Sequence, residues 1–217
     1  HLVMAEENMS TLDTGVQIAE GREDEDTKRF AVEIADEVPR LKKAIGEVRE
    51  QLDSSIVASL DEQPKNVIGF LEIQHDELGK LRSRSEPLVE YQVELGQEVD
   101  DYDTLDEVAT DLNLKLRLWR GMREWSALTA SWVETPLSEI DATELETHVQ
   151  AYNKTVYQAS KGLPGNPVVP KLKESVDTFT PVLPVVVNLR NTSLQERHWT
   201  AIHDLVGFTI QGDTSFT

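Results

Sequence analysis

The stretch PKNVIGFLEIQHDELGKLRSRSEPLVEYQVELGQE, residues 64–98, decides the fold. Within it Leu71, Leu78, Leu81, Leu88 and Leu95 recur at heptad-like spacing, which lines one side of an α-helix with a single apolar seam. Pro64 suits the first helical position, where its missing N–H costs nothing. The periodicity predicts one helix through about Glu98, roughly 45 Å long at 1.5 Å per residue. Pro87 is an internal flaw in it. Glu86, Glu90, Glu94 and Glu98 stand at four-residue steps and make one acidic stripe.

The same periodicity extends outward in both directions. Upstream, Phe30, Ile34, Val38, Leu41, Ile45, Val48 and Leu52 step by three or four, predicting a helix from Thr27 to about Leu60. Pro39 is expected to kink or split it near Val38. Residues 5–26 are polar and carry Gly15, Gly21 and the run Glu23-Asp24-Glu25-Asp26, which reads as a weakly ordered lead-in. The opening His1-Leu2-Val3-Met4 reads as an added leader before a start methionine.

Downstream, Thr104-Leu-Asp-Glu107 has the form of a capping box and predicts a helix start. Leu105, Val108, Leu112, Leu116, Trp119 and Arg123 mark one face of that helix, with Trp125 and Trp132 further along and a stop before Pro136. Asp141-Ala-Thr-Glu144 offers a similar cap for a helix through Leu145, Val149, Tyr152 and Val156 to about Lys161. Gly162-Leu-Pro-Gly165 then breaks the chain. Asn166-Pro167 opens a short helix with Leu172, Val176 and Phe179 on its face.

Pro181 and Pro184 precede Val185-Val186-Val187. Valines alone favour a strand, but no partner strand is visible, so a proline-restarted helix is preferred. Ser193-Leu-Gln-Glu196 is another capping box, opening a last helix that Gly207 ends. The tail from Phe208 to Thr217 reads as cut off after an element with no following partner.

The fold class that follows is all-α: elongated antiparallel helical bundles of about five or six helices with spectrin-like packing. The helices from 65, 104 and 141 make a three-helix bundle. Four regions are expected: a leader and weakly ordered N-terminus over 1–26, long helices over 27–100, a helical bundle over 101–165, and a final region over 166–217.

Composition narrows the function. Of 217 residues 39% are hydrophobic, enough for a thin core. Lysine and arginine total 21 against 40 aspartates and glutamates, a formal charge of −19. A surface this negative repels phosphate backbones and anionic membranes, so neither nucleic acid nor membrane is an expected partner. Cysteine is absent, which removes disulfides, thiolate zinc sites and a cysteine nucleophile. No apolar run approaches the roughly 20 residues that span a bilayer. The acids concentrate between Ser85 and Leu114, a stretch with no lysine or arginine, whereas Val168–Thr217 carries five acids and four bases. A nearly neutral end reads as a surface meant to be covered.

No motif for chemistry emerges. The Gly162–Gly165 turn lacks the lysine and hydroxyl of a phosphate loop, and no G-x-S-x-G elbow or H-E-x-x-H occurs. Asp101-Tyr-Asp103-Thr-Leu105 begins like a calcium loop but places leucine at the third ligand position. Catalytic, metal and cofactor residues are therefore expected to be none. The acidic run is a solvated face or, alternatively, a docking site for a basic partner. Trp119, Trp125, Trp132 and Trp199 read as packing residues before they read as a ligand cage. His198 shares a side with Leu194, Ile202 and Leu205. It reads as a core histidine bonded to a carbonyl, with a pH switch as the sharper alternative.

A family resemblance adds to this. Leu116-x-x-Trp119, Trp125 and Trp132 precede Glu134-Thr-Pro136-Leu-Ser-Glu-Ile-Asp141, and Leu172-Lys-Glu-Ser-Val-Asp-Thr-Phe179 follows with Pro184. Most specific is Asn188-Leu-Arg-Asn-Thr-Ser-Leu-Gln-Glu-Arg197-His198-Trp199. Residues 102–206 resemble dynein heavy chains where the tail enters the linker, in wording closer to ciliary (axonemal) than cytoplasmic chains. The resemblance implies a non-catalytic lever element, with 27–100 as distal tail helices. Region 101–165 would lead into the linker, and 166–217 would be its first part. Trp119, Trp125, Trp132, Arg197, His198 and Trp199 would be packing residues. The implied partners are the remaining linker and ATPase ring and other dynein subunits, with no direct microtubule contact. The implied place is cytoplasmic: the cytoskeleton of a cilium or flagellum. The double proline departs from the pattern. A spectrin-like scaffold that docks a partner through its acidic face is the alternative.

Overall fold

In the computed structural model, which describes residues 2–100, 102–208 and 210, the described residues form eight helices and no strand. They are α1 (Leu2–Leu52), α2 (Ser55–Ala58), α3 (Pro64–Glu94), α4 (Asp103–Glu134), α5 (Ala142–Gly162), α6 (Val168–Phe179), α7 (Val182–Leu189) and α8 (Glu196–Val206). His1 of the leader, Asp101 of the acidic run, and Thr209 and 211–217 of the tail lie outside the described residues. The all-α bundle is as expected. The helix count exceeds five or six because α2 is a single turn and the last third breaks into three short helices.

The chain divides into two compact units, one of residues up to 51 with 75–109, the other of 52–74 with residues from 110 onward. In the first, the α1 stripe Ile34, Val38, Leu41, Ile45 and Val48 is buried, together with Leu78, Leu81 and Leu88 of α3 and Leu105 and Val108 of α4. Cross-helix pairs give the directions. Phe30 stacks on Tyr91 at 6.4 Å and Glu37 pairs with Arg84, so α3 runs antiparallel to α1. Lys42 pairs with Asp100, and Arg49 with Glu107 at 3.9 Å, so α4 runs parallel to α1. Exposed ion pairs of this kind stabilise little; the apolar seam holds the unit.

Four expectations need correction here. Helix α1 runs from Leu2, so it begins well before the Thr27 start expected from the periodicity, and residues 5–26 are its first part. Every described side chain from Met9 to Arg29 is exposed, so backbone bonds and local pairs such as Arg29 with Asp26 at 2.9 Å hold that part. Pro39 does not split the helix, and α1 passes through it. One lost donor costs less there than breaking the buried seam on either side of it would. Pro87 lies inside α3, where the sequence placed it; α1, however, ends at Leu52 and not near Leu60. Finally, α3 ends at Glu94 and Glu98 leaves the acidic stripe. Gly96 takes φ +61°, and the N–H groups of Gly96 and Gln97 donate to Val93 (3.1 Å) and Gln92 (2.8 Å), which satisfies the last carbonyls.

In the second unit, Arg117 Nη1 donates to Gln158 Oε1 at 3.0 Å, and the Trp125 and Tyr152 rings lie 4.9 Å apart, so α5 runs antiparallel to α4. Trp125 meets Ser175, and Trp132 meets Phe179 at 5.7 Å, so α6 runs parallel to α4. Leu112, Leu116, Leu118, Leu145, Val149, Val156, Leu172 and Val176 of these helices are buried. The predicted cap of α5 is present: Asp141 Oδ1 accepts from the N–H of Thr143 (2.9 Å) and of Glu144 (3.1 Å).

The other two capping boxes fall elsewhere. Helix α4 starts at Asp103, which puts Thr104 inside it. Helix α8 starts at Glu196, and its box pairs Gln195 with His198 in place of Ser193 with Glu196. The prolines restart a helix as expected, and all three valines are in α7. Gly207 at φ +82° ends α8, its N–H donating to His203 O at 2.8 Å.

Candidate functional site

Three groups of side chains in the second unit carry its specific geometry. The first is the corner between the last residue of α1 and the start of α3. Lys115 on α4 is buried, yet its Nζ donates to Leu52 O (2.9 Å), Asp53 Oδ1 (3.2 Å) and Asp111 Oδ2 (2.7 Å). An ammonium has three donors, and all three are used. One turn further along α4, Trp119 is 1% exposed and its Nε1 donates to Val57 O at 3.0 Å. A cavity of about 300 Å³ lies beside this corner, lined also by the Gly162–Pro167 turn.

The second group is an aromatic cluster shared by α4, α5 and α6. Trp125 is its centre, 1% exposed, with Nε1 donating to Ser175 Oγ at 2.8 Å. Its ring meets Trp132 (5.7 Å, 85°), Tyr152 (4.9 Å) and Phe179 (5.6 Å, 83°). The edge-on pairs are the favoured arrangement for aromatic quadrupoles. Trp132 is half-buried and also contacts His148 at 6.1 Å. Burial, helped by the Glu124 carboxylate, pushes the Tyr152 hydroxyl above its usual 10.0, so it stays a donor to Glu124. The α4–α5 side of the cluster opens into a groove of about 760 Å³ that includes Arg117, Arg120, His148 and Tyr152.

The third group is on α8. Trp199 is buried and touches the His203 ring at 6.0 Å. His198 departs from the core-histidine reading. It is half-buried and its Nδ1 accepts from the Gln195 N–H at 3.1 Å, so it serves as a cap and not as a donor to a carbonyl. Arg197 is exposed.

Of the six residues singled out from the sequence, Trp125 and Trp132 are brought together, Trp119 serves the corner, and Arg197, His198 and Trp199 sit on α8. Tyr152, Phe179 and Ser175 complete the cluster. The sequence reading missed Lys115, whose acceptors at 52 and 53 are more than sixty residues away. Among the described residues no group of three or more His, Asp or Glu could hold a metal. No helix among them is long and apolar enough to cross a membrane.

The three groups consist of aromatic and leucine packing, with the buried donors of Lys115, Trp119 and Trp125 spent on carbonyls, carboxylates and one hydroxyl. A family model described as dynein heavy chain, N-terminal region 2, matches residues 105–217, just over half the chain, and the chain belongs to the dynein heavy chain family. It is 32% identical over 190 residues to dynein axonemal heavy chain 6 of Homo sapiens, covering 88% of this chain and 5% of that protein. It is 28% identical over 126 residues to dynein axonemal heavy chain 1 of Rattus norvegicus, covering 56% of this chain and 3% of that protein. It is also 27% identical over 106 residues to the dynein-1-beta heavy chain of the flagellar inner arm I1 complex of Chlamydomonas reinhardtii, covering 49% of this chain and 2% of that one. The chain thus spans about one twentieth or less of the length of these relatives.

Proposed function

We propose that this chain is a non-catalytic mechanical element of an axonemal dynein heavy chain, at the junction of tail and linker, and that it works in the axoneme of a cilium or flagellum. It would pass motion between an ATPase ring and a cargo-bound tail, both supplied by other parts of the heavy chain. Region 101–165 would lead into the linker, and 166–217 would be its first part. The observation that carries this reading is the shared core of α4, α5 and α6. Trp125 and its neighbours interlock three helices, and close-packed seams of that kind resist bending.

The partner surface in this reading is the nearly neutral end. Val182, Val185 and Val187 of α7 and Leu205, Val206 and Phe208 at the end of α8 are exposed. Hydrogen exchange on this chain and on a longer stretch of the heavy chain tests it. Slower exchange over 182–208 in the longer protein is the expected result; equal exchange in both counts against it. Tight ATP binding by this chain in calorimetry would overturn the non-catalytic reading.

A second reading is a spectrin-like scaffold that docks a basic partner. It rests on Glu86, Glu90 and Glu94, exposed along α3 with no base between Ser85 and Leu114. Salt-sensitive capture of a basic peptide by this stretch would favour it.

A further inference from the structure

Lys115 is the one charged residue buried among the described residues. Its Nζ spends all three donors, one on the backbone carbonyl of Leu52 and two on carboxylates, those of Asp53 and Asp111. Leu52 O is one of the last carbonyls of α1, which have no partner within their own helix. Asp53 follows it in the chain, whereas Asp111 lies on α4, one turn before Lys115. The ammonium therefore ties the outgoing corner, residues 52–63, to α4. Trp119 repeats the tie one turn on, at Val57 O.

We propose that Lys115 is a positioning residue: its ammonium selects the one docked conformation of the 52–63 corner, and the surrounding apolar core supplies the stability. A buried ammonium is tolerated only with every donor satisfied, so partly docked arrangements are penalised and one arrangement is selected. Apolar contacts lack that discrimination. A long uncharged side chain in the same place would keep the contacts and lose the selection. The corner's other fixings are the Trp119 bond and the buried Leu52 and Val57 side chains; α2 itself is one turn, Ser54 makes no side-chain cap bond, and its hydroxyl is buried without a partner.

The test uses Lys115→Met and Lys115→Cys. The chain has no cysteine, so aminoethylation of the single introduced thiol, done in denaturant before refolding, restores an ammonium at this site alone. Hydrogen exchange is read over 52–63, with circular dichroism for the helices and unmodified protein carried through the same refolding. Both variants are expected to keep the helical signal and the protection of α5 and α6. Exchange over 52–63 should be at least about tenfold faster. Aminoethylation of the cysteine variant should return it to the original rate. Unchanged exchange in Lys115→Met overturns the proposal. Loss of the whole helical signal does so too, because Lys115 would then serve general stability. So does an aminoethylated protein that stays as unprotected as its parent.

Discussion

Trp125 donates its indole N–H to the Ser175 hydroxyl at 2.8 Å and, one turn further along α6, meets the Phe179 ring edge-on. One residue of α4 thus sets both the height and the rotation of α6. The polar bond fixes the register, and the ring contact supplies buried area.

Trp125→Ala is therefore expected to be among the most damaging single changes in the second unit. Truncating a fully buried tryptophan costs about 3–5 kcal/mol. Trp132, half-buried in the same cluster, should cost clearly less. Urea unfolding of the two variants checks the order; equal midpoints would mean that the cluster is not centred on Trp125.

Trp119→Phe keeps an aromatic ring and removes the donor to Val57 O. A buried carbonyl left unpaired costs about 1–3 kcal/mol. The loss should appear in the urea midpoint, accompanied by faster exchange over 55–58. A variant as stable as the parent would show that water replaces the indole at no cost.

Asp141→Ala and Thr104→Ala discriminate a true cap from a false one. Asp141 accepts two backbone N–H bonds at the start of α5, and losing such a cap costs about 0.5–2 kcal/mol. Thr104 is exposed inside α4, where alanine is the better helix former, so its replacement should be neutral or slightly stabilising. Thermal unfolding of both variants reads the contrast.

Asp100 gives a pH dependence. Its hydrogen bonds from Lys42 and Gln92 hold the carboxyl below the usual 3.8 in the folded chain. The folded state therefore binds this proton less readily than the unfolded state. The resulting stabilisation is present above the unfolded value and is lost as pH falls through the folded one. Asp100→Asn should be less stable than the parent at neutral pH, with the gap closing as pH drops below 3.8. A gap that stays constant in acid would mean that the carboxylate charge contributes nothing.

The helices were legible wherever an apolar seam repeats. Leu71, Leu78, Leu81 and Leu88 are buried as their spacing required, as are Ile34, Val38, Leu41, Ile45, Val48 and Leu52, whereas Phe30 is exposed and Leu95 is half-buried beyond the end of α3. Local signals were less reliable where two readings compete. Thr104 and Ser193 each head a capping-box pattern, yet the helices begin at Asp103 and Glu196. Such motifs describe one turn, and the seams decide where the turn falls. Of the kink or split expected at Pro39, the split does not occur, because a local rule cannot weigh the buried residues on both sides. The candidate site was half legible. Four tryptophans in an apolar pattern announced packing. That Trp125 would find Ser175 and Phe179, or Lys115 the end of α1, depends on chain closure over some fifty to sixty residues.

The join between α6 and α7 has its own consequence. Thr180 (φ −56°, ψ −44°) and Pro181 (φ −72°, ψ −22°) both keep helical torsions, although a residue before proline usually avoids them. Two N–H groups are missing, at positions 181 and 184, while the path never leaves the coil of a helix. The chain therefore crosses this point without slack. No irregular residue stands between the two short helices, so helical backbone joins them on both sides of Pro181.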